Sequence, residues 1–151
     1  MTTIQIIQKL PYTAPFLFVD TILAVDEQGI QGEYTFKKEA YFYKGHFKNN
    51  PVTPGVLLTE CMAQIGLASF GIYLFGKDIE HQEFSIAMTS SDMQFYIPVY
   101  PETTVQVVAE KIYFRFNKLK CKVKMYTTDQ KLVAEGVIAG MAFHKTDKPK
   151  G

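Results

Sequence analysis

Thr53-Pro54-Gly55-Val56-Leu57-Leu58-Thr59-Glu60-Cys61-Met62-Ala63-Gln64-Ile65-Gly66-Leu67-Ala68-Ser69-Phe70-Gly71-Ile72-Tyr73-Leu74-Phe75-Gly76 is the stretch on which the fold turns. Val56 to Phe75 is a run of twenty residues with one formal charge, Glu60. Its limits are legible. Thr53 suits an N-cap, Pro54 suits the first helical position because its missing N–H costs nothing there, and Gly76 suits a stop. Twenty helical residues span ~30 Å, the length of a bilayer crossing. Thr59, Gln64, Ser69, Gly66 and Gly71 argue against that reading. Glu60 and Gln64, four residues apart, share one face, and an ionisable group there would be costly in lipid. The run therefore reads as a helix buried in a soluble fold and wrapped on most sides.

The flanking sequence supplies the wrapping. Residues 1–9 read as a short helical turn or an arm, and Leu10-Pro11 opens a loop through Pro15. Phe16 to Val25 is β-rich, Asp26-Glu27-Gln28-Gly29 is a turn by composition, and Ile30 to Phe36 alternates as a second hairpin strand. Tyr41, Phe42, Tyr43 and Phe47 cluster around His46. After the helix, strand-like runs follow at Phe84–Met88, Met93–Tyr100, Thr103–Phe116, Leu119–Tyr126 and Leu132–Phe143. The predicted fold class is α+β: a curved antiparallel sheet wrapped around one long helix, whose open side needs a second subunit.

With 151 residues, 47% of them apolar and 21% charged, the chain suits one domain, taken as residues 1–143 with a polar tail at 144–151. A net charge of +1 gives no case for nucleic acid or membrane binding. Cys61 and Cys121 sit in apolar surroundings and no secretory signal is recognisable, so both read as reduced core thiols in the cytoplasm. Lys118, Lys120, Lys122 and Lys124 alternate as a solvated strand face, the alternative being attraction to an acidic carrier protein or a phosphopantetheine phosphate.

Three features around the helix start carry chemistry. His46 lies in a glycine-flanked loop, and an imidazole titrates near neutrality, as a base requires. The preceding Gly45 permits an unusual turn. Glu60 follows fourteen positions on, inside the apolar run, where desolvation favours a protonated carboxyl that can act as an acid. Gly55 and Val56 lie in the first helical turn, where N–H groups lack partners and the helix dipole favours negative charge. A base, an acid and free N–H groups can together eliminate water from a 3-hydroxyacyl thioester. Gln64 orients Glu60 or the substrate, or makes a helix-packing hydrogen bond. His81 and His144 read as roles-free loop and tail histidines.

Gly45-His46-Phe47 followed by Pro54-Gly55-Val56-Leu57-Leu58, Glu60 and Met62-Ala63-Gln64 resembles the 3-hydroxyacyl-[acyl carrier protein] dehydratases of fatty acid synthesis. Glutamate at position 60 is similar to the plain dehydratase branch; the dehydratase–isomerase branch has aspartate. Leu10-Pro11 with Pro15-Phe16-Leu17-Phe18-Val19-Asp20, the Phe95, Pro98-Val99 and Pro101 segment, and Leu132-Val133-Ala134-Glu135 extend the resemblance over residues 10 to 143. It implies a hotdog fold, homodimers that often form trimers of dimers, and active sites at the dimer interface. His46 of one subunit would be the base and Glu60 of the other the acid. The Gly55 amide would hold the carbonyl, with Val56, Gln64 and Phe47 at the substrate. It implies acyl carrier protein as partner and no cofactor beyond its phosphopantetheine arm.

The departures fall around the catalytic pair, not on it. Tyr12 and Thr13 stand in place of a His-Arg pair. Phe47-Lys48-Asn49-Asn50-Pro51 replaces Phe-Pro-Gly-x-Pro, and Tyr96 and Ile97 replace basic residues. A specialised carrier or an unusual chain, such as an aryl-polyene pigment intermediate, is compatible with them. A hotdog acyl thioesterase and a non-catalytic acyl-binding or scaffold subunit remain the alternatives.

Overall fold

The computed structural model describes residues 1–76 and 84–144. Six strands form one antiparallel sheet: β1 (Thr21–Val25), β2 (Gly29–Thr35), β3 (Phe84–Phe95), β4 (Thr104–Arg115), β5 (Lys118–Thr127) and β6 (Leu132–His144). Their order is β1-β2-β4-β5-β6-β3, so β1 and β3 are the edges. A short helix, α1 (Thr3–Gln8), precedes the sheet, and the central helix runs from Gly55 to Phe75 inside its curve. This is the hotdog arrangement.

Alternation builds the concave face. Val105, Val107 and Ala109 on β4 and Leu119, Cys121, Val123 and Met125 on β5 are all buried, and the residues between them face outward. Ile65, Leu67, Phe70 and Ile72 of the helix meet them without exposure above 2%. Each such side chain contributes roughly 1.5–3 kcal/mol by leaving water. Helix and sheet approach closely at Gly66, where an added Cβ would meet Val123 at 3.1 Å and Ala109 at 3.2 Å. Ile6, Leu10, Phe18 and Val19 join the same cluster from the other side. The helix is therefore enclosed mainly by its own chain. The open side expected along it reduces to its first turn, where Val56 is 78% exposed, and to half-buried positions at its far end.

The helix is not uniform. Gly55–Ala63 (α2) and Phe70–Phe75 (α3) are α-helical, and Gln64–Ser69 between them is a π-helix, which sequence periodicity did not reveal. Two side chains take up carbonyls there: the Ser69 hydroxyl donates to Gln64 O at 2.7 Å and the Cys121 thiol to Gly66 O at 3.4 Å. Gly76, at φ 58°, ends the helix as expected.

Three expectations change. Phe16–Asp20 is not strand: Phe18 N–H and Phe16 O are taken by the Gln64 side chain, pairing with β2 starts only at Asp20 N–H, and β1 begins at Thr21. The runs at Phe84–Met88 and Met93–Tyr100 are one strand to Phe95, because polar Thr89 to Asp92 continue the pairing with β6 through a bulge between Met88 and Ser90. His144 closes β6 rather than opening the tail, while His81 and residues 145–151 lie outside the described residues. The Asp26 turn is as read: its carboxylate accepts from the N–H groups of Gln28 and Gly29. Lys118–Lys124 face outward from the sheet, and among the described residues none of the four is ion-paired.

At Gly136, an added Cβ would collide with the Asp92 carbonyl of β3, a backbone atom that cannot rotate away. Gly136→Ala should destabilise by about 1–3 kcal/mol, seen as a lower Tm, whereas Gly45→Ala, with open space around it, should leave Tm near wild type.

Candidate active site

The His46 loop is closed by backbone pairing on both sides. Val52 N–H donates to His46 O at 2.8 Å, Phe47 N–H donates to Asn50 O at 2.8 Å, and Asn50 N–H returns to Phe47 O at 3.0 Å. Asn49 sits at the tip with φ 62°. Asparagine tolerates that left-handed conformation, so it replaces the glycine of the Phe-Pro-Gly-x-Pro pattern without strain. Gly45, by contrast, has φ −108°, and its position does not require glycine. The peptide between His46 and Phe47 is cis.

The half-buried His46 ring is fixed at two points. Its Nδ1 lies 2.8 Å from Val52 O, and its plane stacks on Phe47 at 3.9 Å between centroids. A carbonyl only accepts, so Nδ1 carries the proton in this bond. In the neutral ring Nε2 is then the unprotonated nitrogen, in the form a base needs.

Glu60 is half-buried on α2. Burial pushes its carboxyl above the ordinary carboxylate value, and the hydrogen bond from Gln64 opposes that shift. Gln64 itself is fully buried and makes three contacts. Its Oε1 accepts from Phe18 N–H at 2.7 Å, and its Nε2 donates to Phe16 O at 3.0 Å and Glu60 Oε2 at 3.2 Å. Gln64 thus ties the Phe16–Phe18 loop to the helix and hydrogen-bonds the Glu60 carboxyl. Tyr12 belongs to this corner, its phenol pushed up to about 12 by burial and by the Glu60 charge. Tyr12 and Thr13 stand in place of the usual His-Arg pair, but nothing in the sequence pointed to Tyr12 as a neighbour of Glu60.

The helix start differs from expectation. Pro54 is the cap residue and Gly55 the first helical residue, with no side-chain cap. Thr53 does not cap, because its hydroxyl is 2.6 Å from the Tyr43 hydroxyl. Among the described residues, no acceptor takes the N–H groups of Gly55 and Val56. Gly55 borders a cleft of about 280 Å³ whose other lining residues are Thr53, Leu58, Phe95, Tyr96, Ile97 and Pro98. The Phe95 ring stands over Gly55. Tyr96 and Ile97, which replace basic residues, make this mouth aromatic and apolar.

Within one chain, among the described residues, no hydrogen bond or ion pair joins His46 to Glu60. Cys61 points elsewhere: its thiol donates to Phe18 O at 3.4 Å, and burial raises its pKa, so it is no nucleophile.

Two predictions follow from Glu60 and Gln64. Burial raises the folded-state Glu60 value above that of the unfolded chain, so the stability linked to this proton is fully present below the unfolded value of ~4.3 and is lost as pH rises through the raised one. Glu60→Gln removes that loss: its Tm should exceed wild type at about pH 8 and the difference should shrink towards about pH 4. Gln64→Leu leaves Phe18 N–H and Phe16 O without partners and should cost about 1–3 kcal/mol in denaturant unfolding.

The FabA-like domain family matches residues 10–141. The 3-hydroxyacyl-[acyl-carrier-protein] dehydratase FabZ of Wolinella succinogenes is 31% identical over 93% of this chain and 95% of its own length. That of Protochlamydia amoebophila is 33% identical over 92% and 87%, and that of Rhizobium johnstonii 35% over 94% and 89%. Among solved structures, the dehydratase heterocomplex ApeI:P of Xenorhabdus doucetiae superposes with a TM-score of 0.80 over 97% of this chain and 95% of that one, at 11% identity, a likeness of fold. A hypothetical thioesterase of Streptococcus pneumoniae, solved with coenzyme A, has a TM-score of 0.60 at 7% identity over 82% and 84%. Motif, sheet topology and relatives agree: the chain belongs to the FabA-like family of 3-hydroxyacyl-[acyl-carrier-protein] dehydratases, a family of lyases.

Proposed function

We propose that this protein dehydrates 3-hydroxyacyl thioesters, delivered on the phosphopantetheine arm of an acyl carrier protein, to trans-2-enoyl thioesters. The observation that carries the reading is the bond from His46 Nδ1 to Val52 O, which leaves Nε2 free as a base. Nε2 takes the C2 proton. The electron pair moves towards the thioester carbonyl, whose oxygen rests on the Gly55 N–H, with Val56 N–H beside it. The C3–O bond then breaks, and protonated Glu60 gives its proton to the departing hydroxyl, which leaves as water. His46 has gained one proton and Glu60 has lost one, and exchange between them or with solvent resets the pair. Phe47 holds the imidazole plane and Gln64 holds the Glu60 carboxyl. No cofactor enters this scheme.

The active pair is assigned across a homodimer interface, His46 from one subunit and Glu60 from the other. Two observations support this: among the described residues no hydrogen bond or ion pair joins His46 to Glu60 within the chain, and β3 is a twelve-residue edge strand exposed from Ala87 to Asp92, open to pairing with a second copy. The aromatic mouth at Phe95 and Tyr96 suits flat, conjugated acyl chains as well as saturated ones. The central helix is a mostly buried core helix, and on this reading the enzyme works in the cytoplasm beside its carrier.

Mass spectrometry of the protein incubated with 3-hydroxyacyl carrier-protein thioesters, saturated and aryl-polyene, tests the assignment. Loss of one water with the thioester intact is expected. His46→Ala and Glu60→Gln should each lower turnover by at least about 10²-fold while remaining folded. Mixing the two variants under subunit exchange should recover activity, since one site of each mixed dimer then holds both native groups. Free acid as product would make the protein a thioesterase, and near-native turnover by both variants would remove the assigned pair.

A further inference from the structure

Tyr43 and Thr53 flank the His46 loop, and neither enters the scheme above. Both are buried, Tyr43 6% and Thr53 3% exposed. Their hydroxyls share a hydrogen bond of 2.6 Å, in which either can donate. The Thr53 backbone is also pinned, its N–H donating to Val99 O at 2.8 Å. Next to it, Val52 exchanges hydrogen bonds with His46 in both directions, backbone to backbone and ring to carbonyl.

Thr53 stands two residues before Gly55. A threonine hydroxyl readily accepts from the backbone N–H two residues on, forming a turn of its own. Left alone, the Thr53 hydroxyl would find the Gly55 N–H, one of the two donors that no other group in the described residues takes. In the structure that hydroxyl is bonded to the Tyr43 phenol instead, and the Gly55 N–H is not among its partners. This explains why the helix start lacks the cap that its sequence suggests.

We propose that Tyr43 and Thr53 are positioning residues: by engaging the Thr53 hydroxyl, Tyr43 keeps the Gly55 N–H available to the thioester carbonyl oxygen. The inference rests on the dehydratase reading. It differs from a merely structural role in being asymmetric. Removing the phenol releases a competing acceptor. Removing the threonine hydroxyl leaves no competitor, although it breaks the same hydrogen bond.

The test compares Tyr43→Phe, Thr53→Val and the double variant by dehydration kinetics, Tm and infrared spectroscopy. The infrared probe is a saturated acyl-pantetheine thioester labelled with ¹³C at its carbonyl; lacking a 3-hydroxyl, it binds without reacting. Wild type should move the carbonyl stretch to lower frequency than in water. Deleting an oxyanion donor outright costs about 10²–10³-fold in kcat, and a cap that substrate must displace should cost less, about tenfold. Y43F should therefore lose most of the frequency shift and about tenfold in kcat, with KM within about twofold. T53V should keep the shift and remain at least about fivefold above Y43F in kcat. Y43F/T53V should regain what Y43F lost. Equal losses in Y43F and T53V, tracking Tm, would overturn the inference, as would a Y43F enzyme with an unaltered carbonyl shift. If Y43F is too unstable to assay, Y43F/T53S against Y43F/T53V isolates the hydroxyl, and equal activity of those two overturns it. A wild type that neither dehydrates substrate nor shifts the carbonyl would instead remove the dehydratase reading, a distinct result.

Discussion

A helix with Ile65, Leu67, Phe70 and Ile72 distributed around its surface has no side that can face water. Everything else in the molecule answers that constraint. The sheet curls because its concave face must follow a cylinder, and the bulges in β1, β3 and β4 add the local twist that curling needs. Small residues stand where helix and sheet come closest, Gly66 against Val123 and Ala109, and Gly32 against Ile65. The N-terminal segment completes the enclosure through Ile6, Leu10 and Phe18. What remains uncovered is the first turn, with half-buried positions at the far end of the helix.

Enclosure also settles the electrostatics. A carboxyl on a helix that is otherwise wrapped in apolar side chains loses solvation, so Glu60 is held towards its protonated form. The same burial obliges each polar group nearby to find a partner inside the protein. Gln64 satisfies that demand for the Phe16–Phe18 loop and for itself, and its third contact reaches Glu60. The π-helical segment begins at this residue, and Ser69 and Cys121 take two of its carbonyls. The Phe16–Phe18 loop and the Glu60 carboxyl are thus held in one hydrogen-bonded unit.

The histidine side is organised differently. Nothing encloses the loop from Gly45 to Asn50; it is held by its own backbone pairs and by Asn49 at a left-handed tip. Its rigidity comes from local hydrogen bonds, and the imidazole inherits it through Val52 O and the Phe47 ring. His46 and Glu60, the proposed base and acid, therefore sit on separately built supports.

Much of this was legible in the chain. The length and composition of the run from Val56 to Phe75 determined a buried helix, because no other environment accepts so apolar a segment carrying one carboxyl. Alternation determined β2, β4 and β5, because a sheet with one buried face imposes a period of two. The spacing of His46 and Glu60 around a helix start identified the candidate pair, because residue type and local context set what each can do with a proton. Tertiary structure decided the rest. Whether Phe16–Asp20 became strand depended on Gln64, 46 residues away from Phe18. Whether Thr53 capped its helix depended on a phenol ten residues back. Whether Thr89 to Asp92 broke a strand depended on β6, far along the chain. In each case a local propensity of a few tenths to about one kcal/mol met a hydrogen bond of similar or greater worth that only the folded chain brings within reach, and the contact supplied by the fold prevailed.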